Sequence, residues 1–131
     1  RALGAHPYLT PPAHTTVARE TLGEGVLLAP EHKAVIETDP IAARAIGRPP
    51  VDQPYLHLRN YTNNLKRLGY TDADIENGGS DALIDALVAH GDAATVRAQV
   101  DAHLAAGADH VGIQLLGADD PVEQYAAILE A

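Results

Sequence analysis

Phenylalanine, tryptophan, methionine and cysteine are all missing from these 131 residues. Without cysteine, disulfides, zinc ribbons, iron–sulfur clusters and thiol catalysis are excluded. Without Phe, Trp or Met, the core has to be assembled from Leu, Val, Ile and Ala with help from five Tyr. Cohesion must then come from many small contacts between closely approaching elements. Basic residues are scarce as well: nine Lys and Arg, scattered along the chain, face 18 Asp and Glu, for a net charge of −9. That balance speaks against a nucleic-acid partner. No apolar run approaches the roughly 18 residues that span a bilayer, and no charged segment followed by an apolar one opens the chain. The reading is a cytoplasmic protein without a membrane partner. Arg1 as first residue and the lack of Met are expected of a processed chain or of a piece of something longer.

What is present fits one globular domain over residues 1–131, at 46% apolar with 11 Gly and 9 Pro. Thr10-Pro11, Asp39-Pro40 and Asp120-Pro121 each set a capping side chain before a proline at the first helical position, where the missing N–H costs nothing. Asp92 marks a fourth start, and Glu123, three residues after Asp120, suggests a capping box. Glycines supply the stops: Gly23, Gly47 and Gly107. Ahead of the starts lie apolar runs too short for helices, at 3–8, 34–38, 87–90 and 110–116, and these read as strands. Ala34, Val35 and Ile36 are continuous, as in a parallel strand buried on both faces. Thr10 and Asp39 are 29 residues apart and Asp92 and Asp120 are 28 apart, each the length of a strand plus a crossover helix.

The second unit is swollen by an insertion over about 48–80. Tyr55, Leu58, Thr62, Leu65 and Leu68 fall three or four apart, which describes an amphipathic helix ending at Gly69, and Gly78-Gly79-Ser80 resets the chain before 81–87. Such an excursion either covers a site or simply packs. Four βα units make an open doubly wound sheet or part of an eightfold barrel. No Gly-x-Gly-x-x-Gly follows the first strand, which disfavours the dinucleotide fold. Half of the roughly 250 residues of a complete barrel, with half its strands, makes the chain half of a TIM-barrel domain.

Gly4-Ala5-His6-Pro7-Tyr8-Leu9-Thr10-Pro11-Pro12, Leu27-Leu28-Ala29-Pro30-Glu31, Asn60-Tyr61-Thr62-Asn63-Asn64-Leu65 with Leu68-Gly69-Tyr70, and Gly107-Ala108-Asp109-His110-Val111 closely resemble the luciferase-like monooxygenase superfamily. The nearest branch is that of the actinobacterial oxidoreductases using the deazaflavin coenzyme F420. The resemblance covers essentially the whole chain but only the carboxy-terminal half of the family's barrel, strands five to eight. It implies hydride transfer between F420 and an organic small-molecule substrate, at the carboxyl ends of the strands. It assigns cofactor contact to Gly4, Ala5, His6, Pro7 and Tyr8, while the family's residues near the deazaflavin ring fall mostly on strands this chain lacks. No catalytic residue can therefore be named, and FMN in place of F420 is the alternative.

The residues taken alone also have blander explanations. His6 and Tyr8 would also fit as locally hydrogen-bonded residues of a barrel rim. On the inserted helix Arg59, Asn60 and Asn63, with Asn64, Lys66 and Arg67, would suit an acidic or phosphorylated substrate under a lid, or form a solvated face. His90-Gly91-Asp92 opens a helix, but a carboxylate cap repels an anion, so Asp92 reads as an ordinary cap. Gln114 and Gly117 would line the pocket mouth or finish a barrel layer. The seven histidines show no ligand spacing, and His103 and His110 are separated by a helix end, so no metal is expected. There is no Gly-x-Ser-x-Gly elbow. Half a barrel would leave two raw sheet edges, so a homodimer or association with the missing amino-terminal half is expected. The competing expectation is a non-catalytic domain that folds and self-associates without binding deazaflavin.

Overall fold

In the computed structural model, which describes residues 3–131, the chain forms β1 (Gly4–Ala5), α1 (Pro12–Leu22), β2 (Leu27–Leu28), β3 (Glu31–Ile36), α2 (Pro40–Asp52), a 3-10 turn (Tyr55–His57), α3 (Arg59–Arg67), α4 (Asp72–Ile75), α5 (Asp81–Leu87), β4 (Val88–Gly91), α6 (Ala93–Ala105), β5 (Gly112–Leu115) and α7 (Pro121–Glu130). Three of the four expected helix starts are built by the side chains the sequence offers: Asp39, Asp92 and Asp120 each accept from backbone N–H groups of the first turn. The fourth is not. The cap residue of α1 is Pro11, no side chain caps that helix, and Thr10 sits one residue too early to do so.

Two boundaries of the insertion also move. Gly47 does not stop α2, which continues through Pro49 and Pro50 to Asp52. The prolines remove donors but keep their carbonyls, so Gln53 still closes the last turn on Pro49, and burial of Val51 offsets the lost bonds. Gly47 instead lets α2 approach the sheet, since a Cβ there would stand 3.1 Å from Val88 Cγ1. Extra structure thus begins after Asp52 rather than at 48. The helix expected from Tyr55 to Leu68 is broken at Leu58, whose extended backbone separates the 3-10 turn from α3.

All strand pairings among the described residues are parallel. The three-stranded sheet has the order β4-β3-β5, and β1 pairs with β2. Bonding from β1 runs on into β3: the N–H groups of Leu27, Ala29 and Glu31 donate to the carbonyls of Leu3, Ala5 and Pro7. On the other side, the carbonyls of Leu28, Pro30 and Ala34 accept from Asp109, Gly112 and Leu116. Because alternate residues bond to opposite sides of a strand, β1 and β4 lie end to end along one edge of β2–β3 and β5 lies along the other.

In a barrel arc each strand pairs with the next in sequence; β3 and β4 do so, whereas β5 returns to β3. Val35 and Val88 join the cluster built with α2, α3, α5 and the 3-10 turn, while their neighbours Ala34 and Ala89 join the one built with α6 and α7. Helices therefore cover both faces. Right-handed crossovers require this, because the step from β3 to β4 and the step from β4 to β5 run in opposite directions.

The expected raw edges are blunted from within. On β5 the outward groups are the Ile113 carbonyl and the Leu115 N–H, and the Tyr125 hydroxyl of α7 donates to the first at 3.0 Å and accepts from the second at 3.3 Å. On β4 the outward His90 carbonyl accepts from Gln99 of α6 at 3.3 Å. Tyr125→Phe should therefore cost about 1 kcal/mol and make sedimentation concentration-dependent by reopening the edge. An unchanged melting temperature and sedimentation coefficient would remove this role for Tyr125.

Across the sheet, Arg19 clamps α1 to the loop before β5. It donates to the carbonyls of Gly107 (2.8 Å), Gly23 (2.8 Å) and Val26 (3.0 Å) and to Asp109 Oδ2 (2.7 Å), which also takes the Leu28 N–H. Gly107, at φ +102°, leaves room for the Arg19 stem.

Candidate functional site

Beyond β1 the chain turns over the face of β3, and an open cleft of about 500 Å³ forms between residues 6–14 and α3. Its lining is His6, Pro7, Tyr8, Thr10, His14, Asn60, Tyr61, Asn64 and Arg67. Segments more than 45 residues apart in the chain thus meet at one place. The volume lies within the range of small-ligand sites. Tyr8 and Tyr61 offer flat apolar surface and His6, Asn60 and Asn64 offer hydrogen-bonding groups, a lining that fits an aromatic heterocycle.

The expected contact residues divide. His6, Pro7, Tyr8 and Asn60 line the cleft, whereas Gly4 and Ala5 are β1 residues paired with Leu27 and Leu28, and Arg59 and Asn63 are exposed outside it. The reason is helical phase: in α3 Asn60, Asn64 and Arg67 share the face toward residues 6–14, and Arg59 and Asn63 lie a step around the helix. His6 Nδ1 is 2.6 Å from the Ala29 carbonyl, to which it donates, so Nε2 is left as the acceptor. Gly117 packs against Ile46 of α2, away from the cleft.

Under Tyr8 lies a group the sequence did not flag. Lys33, in the middle of β3, is only 2% exposed. Its ammonium donates to Tyr8 Oη (2.9 Å), Glu31 Oε1 (3.0 Å) and Gln114 Oε1 (2.7 Å), which uses all three N–H bonds. It also stands 4.3 Å from the Tyr8 ring centroid and 5.8 Å from that of Tyr55. Tyr55 stacks at a tilt on Tyr8 (5.4 Å) and edge-on to Tyr61 (4.9 Å), so an aromatic run leads from the ammonium to the cleft wall. A hydrogen bond to Tyr8, and then burial, hold the Tyr55 phenol above its ordinary pKa. Nothing in Glu31-His32-Lys33 marks it as such, since alternating charge in a short strand reads as solvent-facing.

Lys33 and Glu31 lie on one face of β3 and His32 on the other, where a second polar chain is buried. Thr15 Oγ1 and His103 Nδ1 are 2.7 Å apart, and His103 Nε2 and His32 Nδ1 are 2.8 Å apart. His32 hydrogen-bonds the backbone of Thr10 in a way that favours its proton. The tautomers follow: His32 donates to the Thr10 carbonyl and accepts from His103, which in turn accepts from the Thr15 hydroxyl. Burial first, and for His32 also the nearby His103 and Lys33, lower the pKa of His32 to about 3; burial and His14 lower that of His103 to about 4. The pair is neutral at neutral pH and ties α1, α6 and β3 together.

His90 and Asp92 are structural in position. Asp92 caps α6, and His90 Nε2 is 3.0 Å from Asp85 Oδ1, a carboxylate gripped by Arg44 at 2.8 and 2.6 Å and held below its usual pKa first by that contact. His90 and Asp85 border a separate cavity of about 390 Å³ with His32 and Gln99.

Fold and site define an α/β domain with a parallel sheet, helices on both faces and an open polar cleft. No family model, no curated protein and no solved structure matches the chain. No helix among the described residues is long and apolar enough to cross a membrane.

Proposed function

We propose that the chain is the carboxy-terminal half of a luciferase-like oxidoreductase and that the cleft beyond β1 receives coenzyme F420 beside a small organic substrate. One observation carries this reading: three of the five residues the resemblance assigns to the cofactor (His6, Pro7 and Tyr8, but not Gly4 or Ala5) and a residue of the inserted helix (Asn60) line the same cleft. Bound F420 would donate or accept a hydride. The chain's own part is to hold the cofactor, with Tyr8, fixed by Lys33, as a flat wall of the cleft and His6 and Asn60 as hydrogen-bonding groups. The reading places the protein in the cytoplasm.

The half-barrel form belongs to the same proposal and makes a demand on the fold. In a complete barrel β5 would leave β3 and pair with the outer edge of β4, displacing Gln99, when the amino-terminal half or a second copy docks. The competing reading is a domain that folds and self-associates without catalysis, and the Tyr125 cap on the β5 edge lowers the need for a partner there in either case.

Titration with oxidised and reduced F420 and with FMN, followed by cofactor absorbance and fluorescence, separates these readings. F420 binding that is weakened by Tyr8→Ala supports the proposal. Binding of FMN alone would make the chain part of a flavin monooxygenase, and silence with both cofactors would leave the non-catalytic domain.

A further inference from the structure

Several hydrogen-bond donors in the cleft beyond β1 are unused. Thr10 is 5% exposed, yet its Oγ1 has no hydrogen-bond partner, the one such buried side-chain atom among the described residues. Buried polar groups are ordinarily satisfied, and a hydroxyl in this position calls for an acceptor. Thr10 precedes the cap residue Pro11 of α1, an 11-residue helix with neither a side-chain cap nor an acidic residue in its first turn, so the partial positive charge of that helix end is not offset locally. Arg67, at the far end of α3, reaches the same cleft. Arg19, Arg44, Arg48 and Arg97 all engage carboxylates, whereas Arg59 and Arg67 engage none among the described residues, and of these two only Arg67 lines the cleft. In a chain of net charge −9, no carboxylate lines it.

We propose that the cleft binds its ligand through an anionic oxygen group, a phosphate or a carboxylate, held by Arg67 and the Thr10 hydroxyl. This deepens the reading of the cleft as a small-molecule site and rests on it, but not on the identity of the cofactor. Arg67 carries the charge and its planar fork suits two oxygens. Burial first, and then the Arg67 charge, hold the His14 ring below its usual pKa, and its hydrogen bond to Asn64 uses the one N–H of the neutral ring, so His14 shapes the cleft wall and adds no charge of its own. The Thr10 hydroxyl donates a further bond. Selection falls on ligands with one anionic end and a flat apolar body, the end against Arg67 and the body along Tyr8 and Tyr61.

The test uses phenyl phosphate, benzoate and neutral benzyl alcohol as probes, with no deazaflavin present, and reads amide shifts by NMR and affinity from their saturation. The expected result is saturable binding of at least one anion, shifts centred on residues 10–14 and 64–67, and affinity falling as salt rises. Benzyl alcohol should bind about tenfold more weakly, which corresponds to about 1.4 kcal/mol, and Arg67→Gln should lose a similar factor. The tighter of the two anions assigns the group. Arg67 is exposed, so the variant should keep its fold; Arg67→Lys, which retains charge without the fork, should bind at an intermediate level. Equal binding of the alcohol, shifts centred elsewhere, no saturation at millimolar concentration, or unchanged binding in Arg67→Gln would each overturn the proposal. A negative F420 titration would leave it standing, and an anion failure would leave F420 binding untouched.

Discussion

Lys33→Met is expected to lower the folding free energy by about 3–5 kcal/mol, the scale for removing one partner of a buried ion pair. The volume is nearly conserved, so the loss is electrostatic. Glu31, whose side chain is 13% exposed, would keep a carboxylate with no cation, and Tyr8 and Gln114 would lose their donor. Urea denaturation should show the midpoint falling at unchanged slope. Adding Glu31→Gln should recover part of the loss, because the stranded charge goes with it, giving a coupling energy above about 1 kcal/mol. A single-variant cost below about 1 kcal/mol would mean that the ammonium is solvated and that Tyr8 is not held by it. The same substitution should loosen Tyr8 and weaken any ligand stacked on it, which separates this site from a purely apolar support.

The second large effect is with pH. His32 and His103 have pKa values of about 3 and about 4 in the fold, against about 6.5 in an unfolded chain. Between these limits the unfolded state binds more protons, so stability rises with pH. It is fully present above about pH 6.5 and is lost progressively as the pH falls toward 4. Each ring contributes a slope of up to about 1.4 kcal/mol per pH unit. The carboxylates with lowered pKa, Asp74, Asp85, Asp92 and Asp109, act in the same direction but only below their ordinary value of 3.8. Loss of stability between pH 6.5 and 4.5 therefore reports the histidines. Denaturation at pH 7, 6, 5 and 4.5 measures it, and a flat profile over that interval would show that both rings titrate alike in the two states.

Legibility in the sequence followed the range of the interaction. Asp39, Asp92 and Asp120 were readable as caps because an N-cap acts over three residues. The strand at Ala34–Ile36 was readable because burial on both faces leaves a continuous apolar run. Gly47 misled because a glycine ending a helix and a glycine admitting a neighbouring strand look alike until Val88 is placed 3.1 Å away. Thr10-Pro11 misled because a cap depends on one residue of phase.

At the site, the seven-residue stretch from Gly4 to Thr10 drew attention through its resemblance, and His6, Pro7, Tyr8 and Thr10 do line the cleft. Lys33 and the His32–His103 pair are not legible because, Glu31 apart, the partners of Lys33 lie 25 and 81 residues away and the two histidines are 71 residues apart. Composition offers no signal for a charge that is buried only once Tyr8 folds over it.

The sequence by itself determined that this is an α/β protein of βα units with a core of small aliphatic side chains, because apolar periodicity and capping are local and dominate the choice of element. Strand order, and with it which residues share a cleft, was decided only in the folded chain. Whether β5 joins β4 or returns to β3 depends on long-range closure, on the two helical layers that can then form, and on the Tyr125 hydroxyl being in reach of the last edge. These are competitions between contacts distant in sequence, and no window of neighbouring residues contains both competitors.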